Sequence, residues 1–408
     1  MRALLALAFA ALTVVSSVAS AAGDEVRLEV VLMRHGVRSP TKPASNYADY
    51  ANAKWPEWPV APGMLTSHGR DGMIGIGARL RDQFTADRLL GQTCPDASSF
   101  VVIGDSTPRN RESSEALVQG LAPGCDTGFL ATEGASNNPL FHYHEAEDGV
   151  GARPARDSLS PQPPALEELQ STLLGCTPTT CPAIAKRDGK KLLPTDPDKA
   201  TKLTGTLSEN LMLAFAQGML MDDVAFNRGG VDLLGRLITL HNDEFAATKK
   251  SMPAAAQAGS NLVAHIASTF GLAPARPADV EPLLASRKGI VVLVGHDTNL
   301  ANVAGVLGLD WHDPKRPDDY PPGGALLLSL VHHEGHDVIR IRDLMPSMLE
   351  LRTNRYTDMK TSPVRVAGCH AVGECTPEEF RAIVAKAIDA TRVDAALPSM
   401  QWQHAPHM

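Results

Sequence analysis

The stretch Val30–Pro43, VVLMRHGVRSPTKP, decides how this chain is read. Four apolar residues run directly into Arg34-His35-Gly36, and Arg38 follows three residues after the histidine. Val26–Met33 reads as a strand buried on both faces, of the kind found in parallel sheets. In open α/β sheets, ligands bind beyond the carboxyl ends of the strands, which is where Arg34 and His35 fall. Gly36 lets the backbone approach a neighbour closely or turn sharply. Arginine grips phosphate oxygens in bidentate fashion. Two guanidiniums flanking one imidazole therefore make a candidate oxyanion cradle around a nucleophile or base. Taken alone, the tripeptide serves equally well as a structural histidine between solvated arginines.

Two further strand ends change that balance. FVVIGD (Phe100–Asp105) reads as a strand, and the helical PRNRESSEALVQGL after it delivers Arg109 and Arg111. GIVVLVGHD (Gly289–Asp297) reads as a third strand ending in His296 and Asp297, with TNLANVAGVLGL as its helix. Three strand ends far apart in sequence each present groups suited to phosphate. Convergence at one sheet edge is the simplest way to give them a common purpose. Thr66–Phe84 opens on a capping residue and carries spaced apolar positions, which predicts a helix. ALLLSLVHH and DVIRIRDL predict a closing hairpin. The alternation predicts an α/β fold with a mostly parallel central sheet flanked by helices. Residues 145–285 lack strand runs and hold Pro-rich loops and helical stretches, so they read as an inserted, mainly helical domain. The α/β catalytic domain is then discontinuous, from 22–144 and 286–408.

The 408 residues are 43% hydrophobic and 21% charged, the balance of a packed globular protein. A formal net charge of -8 lacks the basic footprint of a nucleic-acid binder. An anionic ligand must be held by a local cluster of cations. Residues 1–21 read as a signal peptide: Arg2, the apolar ALLALAFAALTVV, and small residues for cleavage near Ala21. The mature chain is expected in the periplasm or secreted, with no membrane segment after cleavage. Six cysteines suit that compartment. They fall as three local pairs, Cys94 with Cys125, Cys176 with Cys181 and Cys369 with Cys375, chosen by proximity among about 15 possible pairings. With no CxxC, a cysteine-bound zinc is not expected.

At this point the sequence resembles the histidine acid phosphatases, branch 2 of the histidine phosphatase superfamily, and within them the bacterial periplasmic phytases and acid phosphatases. RHGVRSPT with the distant GHDTN carries the resemblance. WPEWPVAPGMLTSHG (Trp55–Gly69), GLAPGC (Gly120–Cys125), GHDTNLANVAGVLGLDW (Gly295–Trp311) and PPGGALL (Pro321–Leu327) extend it over most of the mature chain. It is weakest over residues 145–200. The resemblance implies that His35 is the nucleophile of a phosphohistidine intermediate and Asp297 the proton donor. It implies that Arg34, Arg38, Arg109 and His296 hold the phosphoryl oxygens, and that no cofactor or metal is needed. The chemistry is consistent with this. Phosphoryl transfer is mostly positioning and stabilisation of charge on the equatorial oxygens, and an alkoxide leaving group needs a proton. No GxxxxGK[ST] is present, so nucleotide hydrolysis of that type is not supported.

For substrate, the resemblance favours phytate, myo-inositol hexakisphosphate. Thr41 and Lys42 follow the nucleophile loop as in phytase-like members, and Glu209 and His241 match positions lining the cleft. Lys42 reads otherwise as a solvated lysine, and Glu209 and His241 as helix surface or core. A broad acid phosphatase or glucose-1-phosphatase is the alternative. A non-catalytic binding protein for phosphate or sugar phosphate is the rival from another class, and would need neither His35 nor Asp297. A phosphoglycerate-mutase-like phosphotransferase is opposed by the signal peptide and the cysteines. The expected partner is a small phosphomonoester, with no nucleic acid, and the chain is expected to be a monomer.

Three features depart from the group. The tail PSMQWQHAPHM has no cysteine to tie it back, the Cys176–Cys181 loop is short, and STPRN precedes Arg109 where charged residues are commoner. HHEGH (His332–His336) reads as a hairpin turn rather than a metal cluster. WPEWP reads as two tryptophans packed onto the domain rather than a ligand platform.

Overall fold

The computed structural model describes residues 24–134, 138–142, 163–194 and 196–403. The signal-peptide reading of residues 1–21 lies outside them.

Among the described residues, eleven strands and eleven α-helices follow the expected order, strand–helix alternation near both ends with a run of helices in the middle. The strands are β1 (Glu25–Arg34), β2 (Phe100–Gly104), β3 (Phe129–Thr132), β4 (Gly289–Gly295), β5 (Leu309–Asp310), β6 (Ala325–His333), β7 (His336–Leu344), β8 (Ser362–Pro363), β9 (Arg365–Val366), β10 (Glu374–Cys375) and β11 (Met400–Gln403). The helices are α1 (Ser67–Ala86), α2 (Pro108–Leu121), α3 (Pro163–Leu174), α4 (Cys181–Asp188), α5 (Pro197–Ala216), α6 (Val231–Leu237), α7 (Thr239–Phe245), α8 (Ala254–Thr269), α9 (Asp297–Leu307), α10 (Met348–Thr353) and α11 (Pro377–Ala387).

The main sheet runs β10-β7-β6-β1-β4-β2-β3-β11, with β8 beside β7. Its centre, β1-β4-β2-β3, is parallel. The flanks are antiparallel: β6 pairs with β1, β7 with β6, and β11 with β3. The expected parallel sheet is thus the core of a mixed one. The hairpin β6–β7 is the expected pair, and it reverses direction because a two-residue turn can join only antiparallel strands.

Burial on both faces explains why β1 and β4 read as continuous apolar runs. Side chains alternate across a strand. Val31, Met33, Ile290, Val292 and Val294 enter one core with α1, α2 and α5. Leu28, Val30, Leu32, Val291 and Leu293 enter the other with α8, α9 and α11. Each fully buried side chain of this size contributes about 1.5–3 kcal/mol, so the sheet centre is a rigid platform for whatever its ends carry. The first core also takes in Leu207, Leu211 and Leu213 of α5. The helices after β3 therefore pack directly on the sheet layer.

The six cysteines stand as the three local pairs, Cys94–Cys125, Cys176–Cys181 and Cys369–Cys375. The cysteine-free tail is held another way. Met400–Gln403 pairs antiparallel with Thr132–Phe129 and closes the edge of β3. A short ladder of this kind contributes on the order of 2–4 kcal/mol, at about 1 kcal/mol per hydrogen bond. Deleting residues 400–408 should lower the unfolding free energy measured in urea by that amount, and the midpoint with it, while kcat/KM stays within about twofold of the parent. An unchanged midpoint would show that the pairing contributes nothing.

Candidate active site

Register brings the three strand ends together. Arg34 lies opposite Gly295 on β4, and Gly104 opposite Val294. The His35 N–H donates to Gly295 O at 3.0 Å, and the Asp105 N–H to Val294 O at 3.0 Å. Arg34-His35, Asp105 and His296-Asp297 therefore leave the sheet at one edge, as a parallel arrangement requires.

Gly36 is needed where the chain turns onto α1. A Cβ there would stand 2.7 Å from Gly69 O and 2.8 Å from Met73 Cγ. The Gly36 N–H donates to Ser113 Oγ on α2 at 3.1 Å. The loop is thus pinned between two helices.

His35 is 1% exposed. Its Nδ1 lies 2.8 Å from Gly36 O. A carbonyl can only accept, so Nδ1 carries the proton and Nε2 the free lone pair. Burial, then the charges of Arg109, Arg34 and Arg38, hold this imidazole well below its usual range. The ring is thereby held toward its neutral form, with the Nε2 lone pair available.

The cationic side of the site is a buried network. Arg34 is fully buried and donates to Glu209 and to the Tyr320 carbonyl. Its Nη2 also meets Asp297 Oδ2 at 2.8 Å. Arg38 Nη2 reaches Glu209 Oε1 and Oε2 at 3.1 and 3.2 Å. Burial raises the Glu209 carboxyl, but Arg38 and Arg34 outweigh it and hold the group well below the carboxylate range. Asp297 follows the same pattern. Burial pushes it up, Arg34 pulls it down, and the net direction is down. The raised acid that a proton donor calls for is therefore not present while Arg34 faces Asp297.

Arg109, at the start of α2, donates to His296 Nδ1 at 3.2 Å. Burial and the nearby Arg38 charge lower its pKa to about 10, so it remains charged. His296 Nε2 donates to Asp105 Oδ2 at 2.9 Å. Asp105 is fully buried. Burial raises its carboxyl, but His142 and His296 outweigh it and hold the group far below the usual range. His142 Nε2 stands 3.1 Å from His296 Nε2.

Nearly every expected residue is at this edge. Arg111 is not: it donates to the carbonyls of Ser106, Thr132 and Gly134 and braces β3. His241 is buried beside Phe245, ring centroids 4.2 Å apart, and its donor atoms lie within 4.8 Å of those of Glu209 and Asp297. Thr41 and Lys42 are exposed. Lys42 lines a pocket of about 280 Å³ with Trp55, Trp58 and Asn210. Trp55 does pack inward, its Nε1 donating to Tyr47 O at 3.1 Å, yet it also walls this pocket. Reading WPEWP as packing alone was incomplete. Asp105, Asn110, His142 and the Tyr320 carbonyl were missed as site groups. Only Asp105, at the end of an apolar run, carried a signal that could have found it.

Known proteins resemble this chain in sequence and in fold. Residues 25–179 match the model of the histidine phosphatase superfamily, branch 2. Phytase AppA of Escherichia coli is 28% identical, over 89% of this chain and 92% of that protein. Glucose-1-phosphatase of Salmonella typhimurium is 23% identical, over 93% and 97%. The Hafnia alvei phytase in complex with tartrate is similar in structure, with a TM-score of 0.79, 27% identity and coverage of 92% of this chain and 100% of that one. The chain is similar to the histidine acid phosphatases over most of its length, with the match to the family model itself confined to residues 25–179. The likeness supports a phosphomonoesterase.

The buried carboxyls give the protein a pH signature. Burial raises Glu244 to about 8, Asp318 to about 7 and Asp343 to about 6. Stability from such groups is complete below their unfolded values, near 4, and is lost as pH rises through the folded ones. Glu209, Asp297 and Asp105 run the other way: their contribution is present above about pH 4 and is lost as pH falls. Burial also lowers the imidazoles of His35, His241, His265 and His296, whose contribution is present above about pH 6.5 and lost as pH falls. The thermal midpoint should therefore peak near neutral pH and decline above it as Glu244 and Asp318 ionise. Asp318→Asn should flatten the decline. A midpoint that rises steadily to pH 8 would contradict these assignments.

Proposed function

We propose that this enzyme is an exported phytase that works through a phosphohistidine at His35. The observation that carries the mechanism is the neutral Nε2 of His35, its other nitrogen held by the Gly36 carbonyl, among three arginines. His35 Nε2 attacks phosphorus, the bond to the ester oxygen breaks, and the Asp297 carboxyl gives that oxygen its proton. Water then attacks the phosphohistidine, the P–N bond breaks, and Asp297 takes the proton from water. Arg34, Arg38, Arg109 and His296 hold the three equatorial oxygens and supply the charge that a metal supplies elsewhere.

Glu209 and Asp297 fill the cationic side of the cradle until substrate arrives. A dianionic phosphoryl group competes with Asp297 for Arg34. As Arg34 turns to the phosphate, Asp297 loses the partner that lowers it and gains an anionic neighbour. Both changes raise its pKa toward that of a proton donor at acid pH. Glu209, held by two arginines, keeps them aimed. In this reading the helical segment 145–285 is an insertion that brings Glu209 and His241 to the strand ends.

Phytate is the substrate favoured by the relatives and by the placement of Lys42 beside the cradle. The second reading, a sugar-phosphate phosphatase, draws on the make-up of the pocket. Its walls are mainly Trp55, Trp58 and prolines, with Lys42 the single cation and Glu57 opposing it. Such a surface suits a ring face better than several phosphates. The signal-peptide reading of residues 1–21 supports export to the periplasm or beyond, and in this reading the enzyme acts as a monomer.

His35→Ala should abolish turnover while inorganic phosphate still binds within a few-fold of the parent; a fully active variant would remove the nucleophile assignment. Asp297→Asn should slow alkyl phosphates at least about a hundredfold more than an aryl phosphate, whose leaving group needs no proton. Equal losses would remove the donor assignment. With EDTA present at about pH 4.5, kcat/KM for phytate, glucose 1-phosphate and an aryl phosphate should rank phytate first. A higher value for glucose 1-phosphate would transfer the conclusion to the second reading.

A further inference from the structure

His142 has no part in the chemistry above, yet its position is tightly determined. Leu140 N–H donates to Asn138 Oδ1 at 3.0 Å, and His142 N–H to Asn138 O at 2.8 Å. Phe141 is buried, and its carbonyl accepts from Asn299 Nδ2 of α9 at 2.8 Å. Asn299 Oδ1 in turn accepts from the His296 N–H at 2.8 Å. The turn that carries His142 is therefore fastened to the helix that follows His296.

The result is a triangle of donor atoms. His142 Nε2 and His296 Nε2 are 3.1 Å apart. Asp105 Oδ2 lies 3.3 Å from the first and 2.9 Å from the second. Metal–nitrogen and metal–oxygen bonds of about 2.0–2.1 Å in a tetrahedron place neighbouring ligand atoms about 3.3 Å apart. The three atoms thus already form one face of such a tetrahedron. Two imidazoles and one carboxylate are also a donor set suited to divalent first-row ions. A fourth group adjoins it. Asn110 is fully buried, with Nδ2 3.0 Å from Asp105 Oδ2 and 2.9 Å from His296 Nε2. Its Oδ1 finds no partner among the described residues. Rotating the amide by half a turn exchanges the two atoms and brings that oxygen to the group as a further ligand.

We propose that Asp105, His142 and His296 form a binding site for a divalent transition ion of the zinc class, and that ion and substrate phosphate exclude one another. The ion is an inhibitor, not a cofactor. The exclusion rests on the reading of Arg109 as a phosphate ligand and follows from the tautomer of His296. In the free protein His296 Nε2 donates to Asp105, and Nδ1 accepts from Arg109. An ion on Nε2 takes that lone pair and moves the proton to Nδ1. Two donors would then face each other at 3.2 Å, so Arg109 must leave. The ion thereby displaces Arg109 from the phosphate cradle.

The test uses the mature full-length protein, freed of metal with EDTA and dialysed to near-neutral pH, with Co²⁺ as the probe. The parent should bind one equivalent and develop the strong visible absorption of a four-coordinate cobalt ion. His142→Ala and His142→Gln should each weaken binding at least about tenfold, since even loss of a group behind a ligand costs that much. The exposed His333–His336 turn is the competing place for an ion, so His336→Ala serves as the control and should bind as the parent does. Absence of the cobalt spectrum in the parent, binding undiminished in both His142 variants, or binding lost in His336→Ala would overturn the site. Inorganic phosphate at saturation should raise the apparent Co²⁺ dissociation constant at least about tenfold. No competition, with the His142 dependence intact, would overturn the exclusion and with it the displacement of Arg109, while the metal site would stand.

Discussion

Everything at this sheet edge depends on one buried carboxylate. Glu209 lies between Arg34 and Arg38, which are 0% and 6% exposed. Two guanidiniums this close repel each other, and burial makes their charge costly. The carboxylate from α5 makes the pair tolerable before any phosphate is bound. It also joins the helical segment to the end of β1, because neither side of the network is satisfied without the other. Removing one member of a buried ion network costs about 3–5 kcal/mol in general. This network therefore couples the integrity of the fold to the geometry of the site.

The same compensation sets protonation states. His35 is kept neutral by burial and by the cations around it, the form a nucleophilic imidazole needs. Asp297 is kept ionised by the cation that the substrate later claims. On the far side, Asp105 holds His296 with Nε2 protonated, so Nδ1 faces Arg109. These carboxylates do not touch the position of the reacting phosphorus in this reading. They determine which nitrogen carries a proton and where each guanidinium points. Glu244 and Asp318, close enough to feel the charge of Glu209, and Asp343 are buried without enough cationic compensation and hold their protons to higher pH. A protein of net charge -8 thereby carries less internal repulsion in acid than its formal charge implies.

The sequence by itself determined the sheet centre and the groups at its ends. Unbroken apolar runs at Val30–Met33, Phe100–Ile103 and Ile290–Val294 fit strands buried on both faces, and the residue after such a run must emerge at a sheet edge. That logic placed Arg34, His35, His296 and Asp297 together without coordinates, and cysteine spacing chose the three bridges. What only the tertiary structure decided depends on contacts between segments whose local pattern is neutral. Arg109 and Arg111 look alike two residues apart, but successive helix positions point in different directions, so one reaches His296 and the other braces β3. β11, Met400-Gln401-Trp402-Gln403, alternates apolar and polar residues over only four positions, too short a run to mark a strand, and it becomes one because β3 offers an unpaired edge. Glu209 and His142 lie far from the strand ends in sequence and at ordinary positions locally. Their meaning arises when the chain brings Glu209 to two buried arginines and His142 to a histidine and a carboxylate, and long-range charge compensation leaves no local trace in a sequence.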